Sequence, residues 1–112
     1  IERPVIKALR LEQMEDRGIV KAYREIAWRI LLDTPSATWG GTGVAHNWSL
    51  ARNVAQEDPI FLAGGLTPGN VARAIAQVHP WGVDVSSGVE TNKNKDIGKI
   101  RAFIENVRQY TA

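Results

Sequence analysis

The chain contains no cysteine. Disulfides, thiolate metal sites and a cysteine nucleophile are therefore excluded. Its two histidines, His46 and His79, stand apart, with no second histidine or carboxylate at a metal-ligand spacing. No metal site is expected from them. Long apolar runs are also missing, and none approaches the ~18 residues that cross a bilayer. The charges in the opening IERPVIKAL interrupt the apolar run that a signal peptide requires. No membrane partner is implied, and a cytoplasmic location is the expectation. An excess of one charge sign is lacking too. Fourteen basic and twelve acidic residues are interspersed for a net charge of +2. That leaves no basic stripe for nucleic acid. Lys93 and Lys95 read as solvated loop charges.

What is present is a 112-residue composition with 44% hydrophobic and 23% charged residues. It is that of one ordinary globular domain with a modest core. Four β-rich runs stand out at residues 5–11 (VIKALRL), 29–34 (RILLDT), 60–64 (IFLAG) and 82–87 (GVDVSS). Each is dense in apolar residues, as strands covered on both faces of a parallel sheet are. Their starts lie 24, 31 and 22 residues apart, and the gaps carry helical periodicity. The chain thus reads as a repeated βα unit. Thr67-Pro68 predicts an N-cap followed by proline at the first helical position, with Val71, Ala74, Ile75 and Val78 on one face. Asp96 predicts the cap of a last helix whose apolar positions are Ile97, Ile100, Phe103, Ile104 and Val107. A first helix is expected over residues 12–25, interrupted by Gly18, and another after Asn47.

Four consecutive βα units with right-handed crossovers form either an open sheet or an arc of a (β/α)8 barrel. Alternation helps to choose. Asp84 and Ser86 share one face of GVDVSS, and Asp33 shares a face with Leu31 in RILLDT. A face carrying two aspartates makes a poor dry interface with helices. It suits the inner face of a barrel, opening onto a mouth.

In α/β folds ligands bind at the carboxyl ends of the strands. Those ends carry Asp33-Thr34, then Gly64-Gly65, then Ser86-Ser87-Gly88. Glycine turns let backbone N–H groups approach an anion closely. Two such turns, one βα unit apart, point to a phosphate site, and either alone reads equally well as a tight turn. Asp33 is either a turn cap after a strand or a general acid or base. Asp84, placed mid-strand, is either a site residue or half of an internal ion pair with Lys7. Trp28 and Trp81, directly before strands, are expected to seal the helix layer. Trp39 and Trp48 flank Gly40-Gly41-Thr42-Gly43 and are placed to pin that loop, and Trp39 is also a candidate for stacking on an aromatic substrate.

The runs VIKALRL, ILLDT with GGTG and a following tryptophan, FLAGGLTPGNVARAI and GVDVSSGVE with KD resemble the carboxyl-terminal half of the phosphoribosylanthranilate isomerase family. The resemblance keeps order and spacing over essentially the whole chain. It implies a cofactor-free (β/α)8 TIM barrel, of which residues 1–112 would be strands five to eight, a half-barrel. The implied reaction is an Amadori rearrangement in tryptophan biosynthesis. A general acid opens the ribose ring of N-(5-phosphoribosyl)anthranilate to a Schiff base. A general base then removes the adjacent proton, and the enolamine tautomerises to the ketone. By the same resemblance Asp33 is the general acid and Asp84 holds a sugar hydroxyl. Gly64, Gly65, Ser86, Ser87 and Gly88 cradle the phosphate. Gly40, Gly41, Thr42 and Gly43 belong to a loop that closes over the site. Other sugar-phosphate barrel isomerases, and a binding module without chemistry, are the competing readings.

The chain departs from that family in one large respect. The family's base is a cysteine on the first barrel strand, and an arginine of the amino-terminal half is expected to hold the anthranilate carboxylate. Residues 92–94 also lack a glycine usually found before the KD pair, which blurs the expected start of the last helix. Four strands cannot close a barrel. The chain is therefore expected to be a fragment that pairs with an amino-terminal half or with itself. Alone it is expected to bind phosphate esters weakly and to catalyse nothing.

Overall fold

The computed structural model describes residues 3–12, 16–34, 36–38, 44–46 and 48–111. The four apolar runs form one all-parallel sheet of β1 (Ile6–Leu9), β2 (Arg29–Asp33), β5 (Ile60–Ala63) and β6 (Gly82–Val83), in that spatial order. Helices α1 (Arg17–Arg24), α2 (Ser49–Ala55), α3 (Val71–Val78) and α4 (Ile97–Thr111) alternate with the strands. The period-2 pattern sets the two faces of the sheet. Ile30, Leu32, Ile60 and Leu62 are buried and join Val20, Val54, Val71, Ala74, Val78 and Phe103 of the helices in one core. Arg29, Leu31, Asp33, Phe61, Gly82 and Asp84 alternate with them and belong to the other face.

The predicted strands are shorter at their ends. β6 stops at Val83, although the Asp84 N–H still donates to the Leu62 carbonyl at 2.9 Å. Asp84 therefore closes the ladder and does not lie mid-strand. The Val71, Ala74, Ile75 and Val78 stripe is buried as its spacing predicts, but the cap of α3 is Asn70. Thr67 lies in the preceding turn, where its carbonyl accepts from the N–H groups of Asn70 and Val71. Asp96 does cap α4, its Oδ1 accepting from the Lys99 N–H at 3.2 Å. Phe103 is buried and Ile100 and Val107 pack on the core, whereas Ile97 and Ile104 are exposed. α1 begins at Arg17, so Gly18 sits in its first turn and does not interrupt it.

Two small ribbons were not predicted. β3 (Ser36–Thr38) pairs antiparallel with β4 (Val44–His46) beyond Asp33. The residues joining them, with Gly40, Gly41, Thr42, Gly43 and Trp39, lie outside the described residues, as does Pro35. A second ribbon, β7 (Glu90–Thr91) with β8 (Asn94–Lys95), turns through Asn92 and Lys93, both at positive φ (53° and 66°). Two central residues at positive φ are what a type I′ hairpin turn requires. The missing glycine therefore falls in this turn, and the start of α4 is sharp.

The tryptophans also differ from expectation. Trp28 and Trp81 are 43% and 55% exposed and do not seal the helix layer. They fold towards Phe61 and Arg29 at the amino-terminal end of the sheet. Trp81 stands edge-on to Trp28 at 5.7 Å and to Phe61 at 5.1 Å. The Arg29 guanidinium lies 4.7 Å and 4.9 Å from the Trp28 and Trp81 rings. Stacking on a cation and on other rings satisfies both indoles on this face. Trp48 is buried in the core. Among the described residues no helix is long and apolar enough to cross a membrane.

Candidate active site

The two faces of the sheet assign the aspartates. Asp33 is the last residue of β2, on the face turned away from the helices, and Asp84 follows β6 on the same face. Lys7 belongs to the opposite face, where its ammonium group lies 4.9 Å from the Tyr23 ring of α1. It is not the ion-pair partner of Asp84.

Beyond the strand ends, one cavity of about 310 Å³ is lined by Asp33, Asp84, Gly64, Gly65, Ser86, Ser87 and Gly88, with Ala8, Leu31, Ala63, Leu66 and Val85 as its apolar wall. The seven polar or glycine positions singled out in the sequence therefore meet in one place. Gly40, Gly41, Thr42 and Gly43 cannot be placed against it, since they lie outside the described residues.

Close packing of backbone holds the cavity's floor. Gly64 has φ +99°, and a Cβ added to it would lie 2.6 Å from Asp33 Oδ1 and closer still to the Thr34 carbonyl oxygen. The glycine thus lets the first turn pass directly beside the Asp33 carboxylate. Gly88 has no room for a Cβ either, because the Leu66 carbonyl occupies that position. The two turns are in this way packed on each other. Thr34 ties β2 to β5 at the same level. Its N–H and its hydroxyl both donate to the Ala63 carbonyl, each at 2.9 Å.

Three residues to which the sequence assigns no role in the site brace the turns. Thr34, expected beside Asp33 at the strand end, is one. Asn70 is another, 9% exposed, accepting from the Thr67 N–H at 2.8 Å and donating to the Gly65 carbonyl at 3.0 Å. An asparagine immediately before a periodic apolar run is a recognisable cap signal. Lys95 is the third. It is not a solvated loop charge, because its ammonium donates to Ser86 O, Ser86 Oγ and Glu90 Oε2. The hairpin signal around Asn92 would have placed it opposite Glu90.

Chemically, the cavity is bordered by two turns, two carboxyl groups and two serines. In the Ser87–Val89 turn the first N–H to bond within the turn is that of Val89, to the Ser86 carbonyl. Those of Ser87 and Gly88 precede it and take no backbone partner among the described residues. Such a set can hold a phosphate ester at one end and deliver a proton from a protonated carboxyl group at the other.

The family model for N-(5'phosphoribosyl)anthranilate (PRA) isomerase matches residues 1–106. A curated relative, the N-(5'-phosphoribosyl)anthranilate isomerase of Roseiflexus sp. (strain RS-1), is 47% identical over 105 residues, which are 93% of this chain and 49% of that one. The solved phosphoribosyl anthranilate isomerase of Thermotoga maritima superimposes with a TM-score of 0.77 at 41% identity, over 95% of this chain and 52% of that one. A phosphoribosyl anthranilate isomerase in complex with reduced 1-(o-carboxyphenylamino)-1-deoxyribulose 5-phosphate superimposes with a TM-score of 0.72 at 38% identity, over 95% and 49% of the two chains. The chain spans about half the length of the relatives it matches. These likenesses agree with the TIM-barrel type of α/β fold that the parallel sheet suggests. The chain belongs to the N-(5'-phosphoribosyl)anthranilate isomerase family.

Proposed function

We propose that this chain forms the carboxyl-terminal half of a barrel that isomerises N-(5-phosphoribosyl)anthranilate in tryptophan biosynthesis, and that it contributes the general acid and the phosphate cradle. The observation that carries this reading is that both aspartates and both turns border one cavity at the carboxyl ends of the strands. The phosphate would sit against the Gly64-Gly65 and Ser86-Ser87-Gly88 turns, and Asp84 would hold a sugar hydroxyl. Asp33 would then give its proton to the ring oxygen and open the sugar to the Schiff base. No cofactor is needed for these proton transfers. The loop of Gly40, Gly41, Thr42 and Gly43 would close over the bound sugar and exclude water.

By the family resemblance, the base that removes the second proton is a cysteine of the amino-terminal half, and this chain has no cysteine. Surface area supports the half-barrel reading. The accessible surface is 7512 Å², against about 6,100 Å² for a compact monomer of this size. The excess of about 1,400 Å² is more than the roughly 800 Å² that each partner buries in a standard protein–protein interface. The sheet face turned from the helices, and the edges of β1 and β6 that pair with no strand among the described residues, are the places for an amino-terminal half, or a second copy, to dock. Catalysis of a biosynthetic step on a sugar phosphate suits a cytoplasmic protein.

Mixing the 112-residue chain with the separately produced amino-terminal half of a relative tests the proposal. Turnover of phosphoribosylanthranilate by the mixture, and by neither part alone, is the expected result. Turnover by this chain alone would overturn it. Binding of the substrate by the mixture without turnover would favour the module that binds phosphate and does no chemistry.

A further inference from the structure

One ammonium group grips both the carbonyl and the hydroxyl of Ser86. Lys95 Nζ lies 3.1 Å from Ser86 O, 3.3 Å from Ser86 Oγ and 2.6 Å from Glu90 Oε2. Lys95 and Glu90 are directly opposed in the β7–β8 ribbon, so the hairpin carries the lysine back to the turn that precedes it. A cross-strand pair with Glu90 would need nothing further. The reach to Ser86 is thus an additional feature of the arrangement.

Its effect follows from peptide geometry. In a trans peptide the carbonyl and the next N–H point in opposite directions. Lys95 does not line the cavity, whereas Ser86, Ser87 and Gly88 do. Drawing the Ser86 carbonyl towards Lys95 therefore turns the Ser87 N–H towards the cavity. The Ser86 carbonyl also accepts from the Val89 N–H within the turn at 3.3 Å, so the lysine is a second hold on this peptide. We propose that Lys95 is a positioning residue for the phosphate ester. It fixes the Ser86–Ser87 peptide with its amide aimed at the anion. The proposal rests on the phosphate reading of the two turns.

The test is a titration of the ¹⁵N-labelled 112-residue chain with inorganic phosphate, following the Ser87 and Gly88 amide resonances. In the wild type both should shift and saturate. Lys95→Met keeps the aliphatic stem and removes donors and charge. It should raise the Kd by about fivefold, the upper end for a half-exposed charge pair, and shrink the Ser87 shift. Its Tm should stay within a few degrees, and Lys95→Arg should recover part of the affinity. Equal affinity in Lys95→Met, or a Lys95→Arg no better than Lys95→Met, overturns the positioning role. So does a Lys95→Met chain that loses its fold. If wild-type phosphate shifts appear only away from Ser87 and Gly88, the phosphate reading itself fails and this proposal falls with it.

Discussion

Replacing Gly64 by alanine strikes the point where the acid and the first glycine turn are packed together. The residue has φ +99°, and the new methyl would sit 2.6 Å from Asp33 Oδ1 and 2.7 Å from the Thr34 backbone nitrogen. Placing an L-residue in the left-handed region costs on the order of 1–2 kcal/mol. Forcing a methyl into backbone that has little freedom to move adds on the order of 1–3 kcal/mol. Together they amount to about 2–5 kcal/mol, a large share of the roughly 5–15 kcal/mol that holds a domain folded. With a urea m-value of about 1–2 kcal/mol/M, the unfolding midpoint should fall by about 2 M. Gly69→Ala is the control, because its Cβ would meet only Thr67 Oγ1, at 3.7 Å. It should change stability by no more than about 0.5 kcal/mol. Any Gly64→Ala protein that still folds should also bind phosphate more weakly and carry a displaced Asp33. A Gly64→Ala midpoint matching that of Gly69→Ala would refute the packing argument.

Two further changes act on the β7–β8 ribbon and the cap that follows it. Lys93 occupies the second central position of the turn at φ 66°, where glycine is preferred. Lys93→Gly should stabilise the chain by about 1 kcal/mol, or roughly 4 °C in a thermal melt; a lower Tm would contradict the turn assignment. Asp96 is held below the usual carboxylate range, first by the Thr91 hydroxyl at 2.7 Å and then by the Lys99 and Gly98 N–H groups. Folding therefore favours its charged form. Its contribution is fully present above the unfolded value near pH 4 and is lost as pH falls through the lower folded value. Asp96→Asn keeps a capping side chain but should flatten the acid limb of urea melts recorded below about pH 4. An unchanged limb would remove Asp96 from the account.

Much of the site was legible because it depends on local alternation. A period of two puts Asp33 with Leu31 and Asp84 with Ser86, and the carboxyl ends of parallel strands do the rest. The features that escaped depend on contacts between distant segments. Their positions directly before strands suggest the helix layer for Trp28 and Trp81, yet Arg29 and Phe61 draw them to the other face. Thr67-Pro68 resembles a helix start, but the buried Asn70 amide bridges Thr67 and Gly65 and takes the cap position. Lys95 looked like a loop charge, because neither its pairing across the hairpin nor its reach to Ser86 follows from composition.

The central claim is that Asp33 delivers the proton that opens the sugar, and one measurement meets it directly. Rates of phosphoribosylanthranilate conversion would be compared for wild type and Asp33→Asn, each combined with the amino-terminal half of a relative. The variant is nearly isosteric, so phosphate binding and assembly should be kept. The rate should fall by about 10²–10⁴-fold, the usual contribution of a positioned general acid or base. An Asp33→Asn mixture that turns over at the wild-type rate would contradict the account.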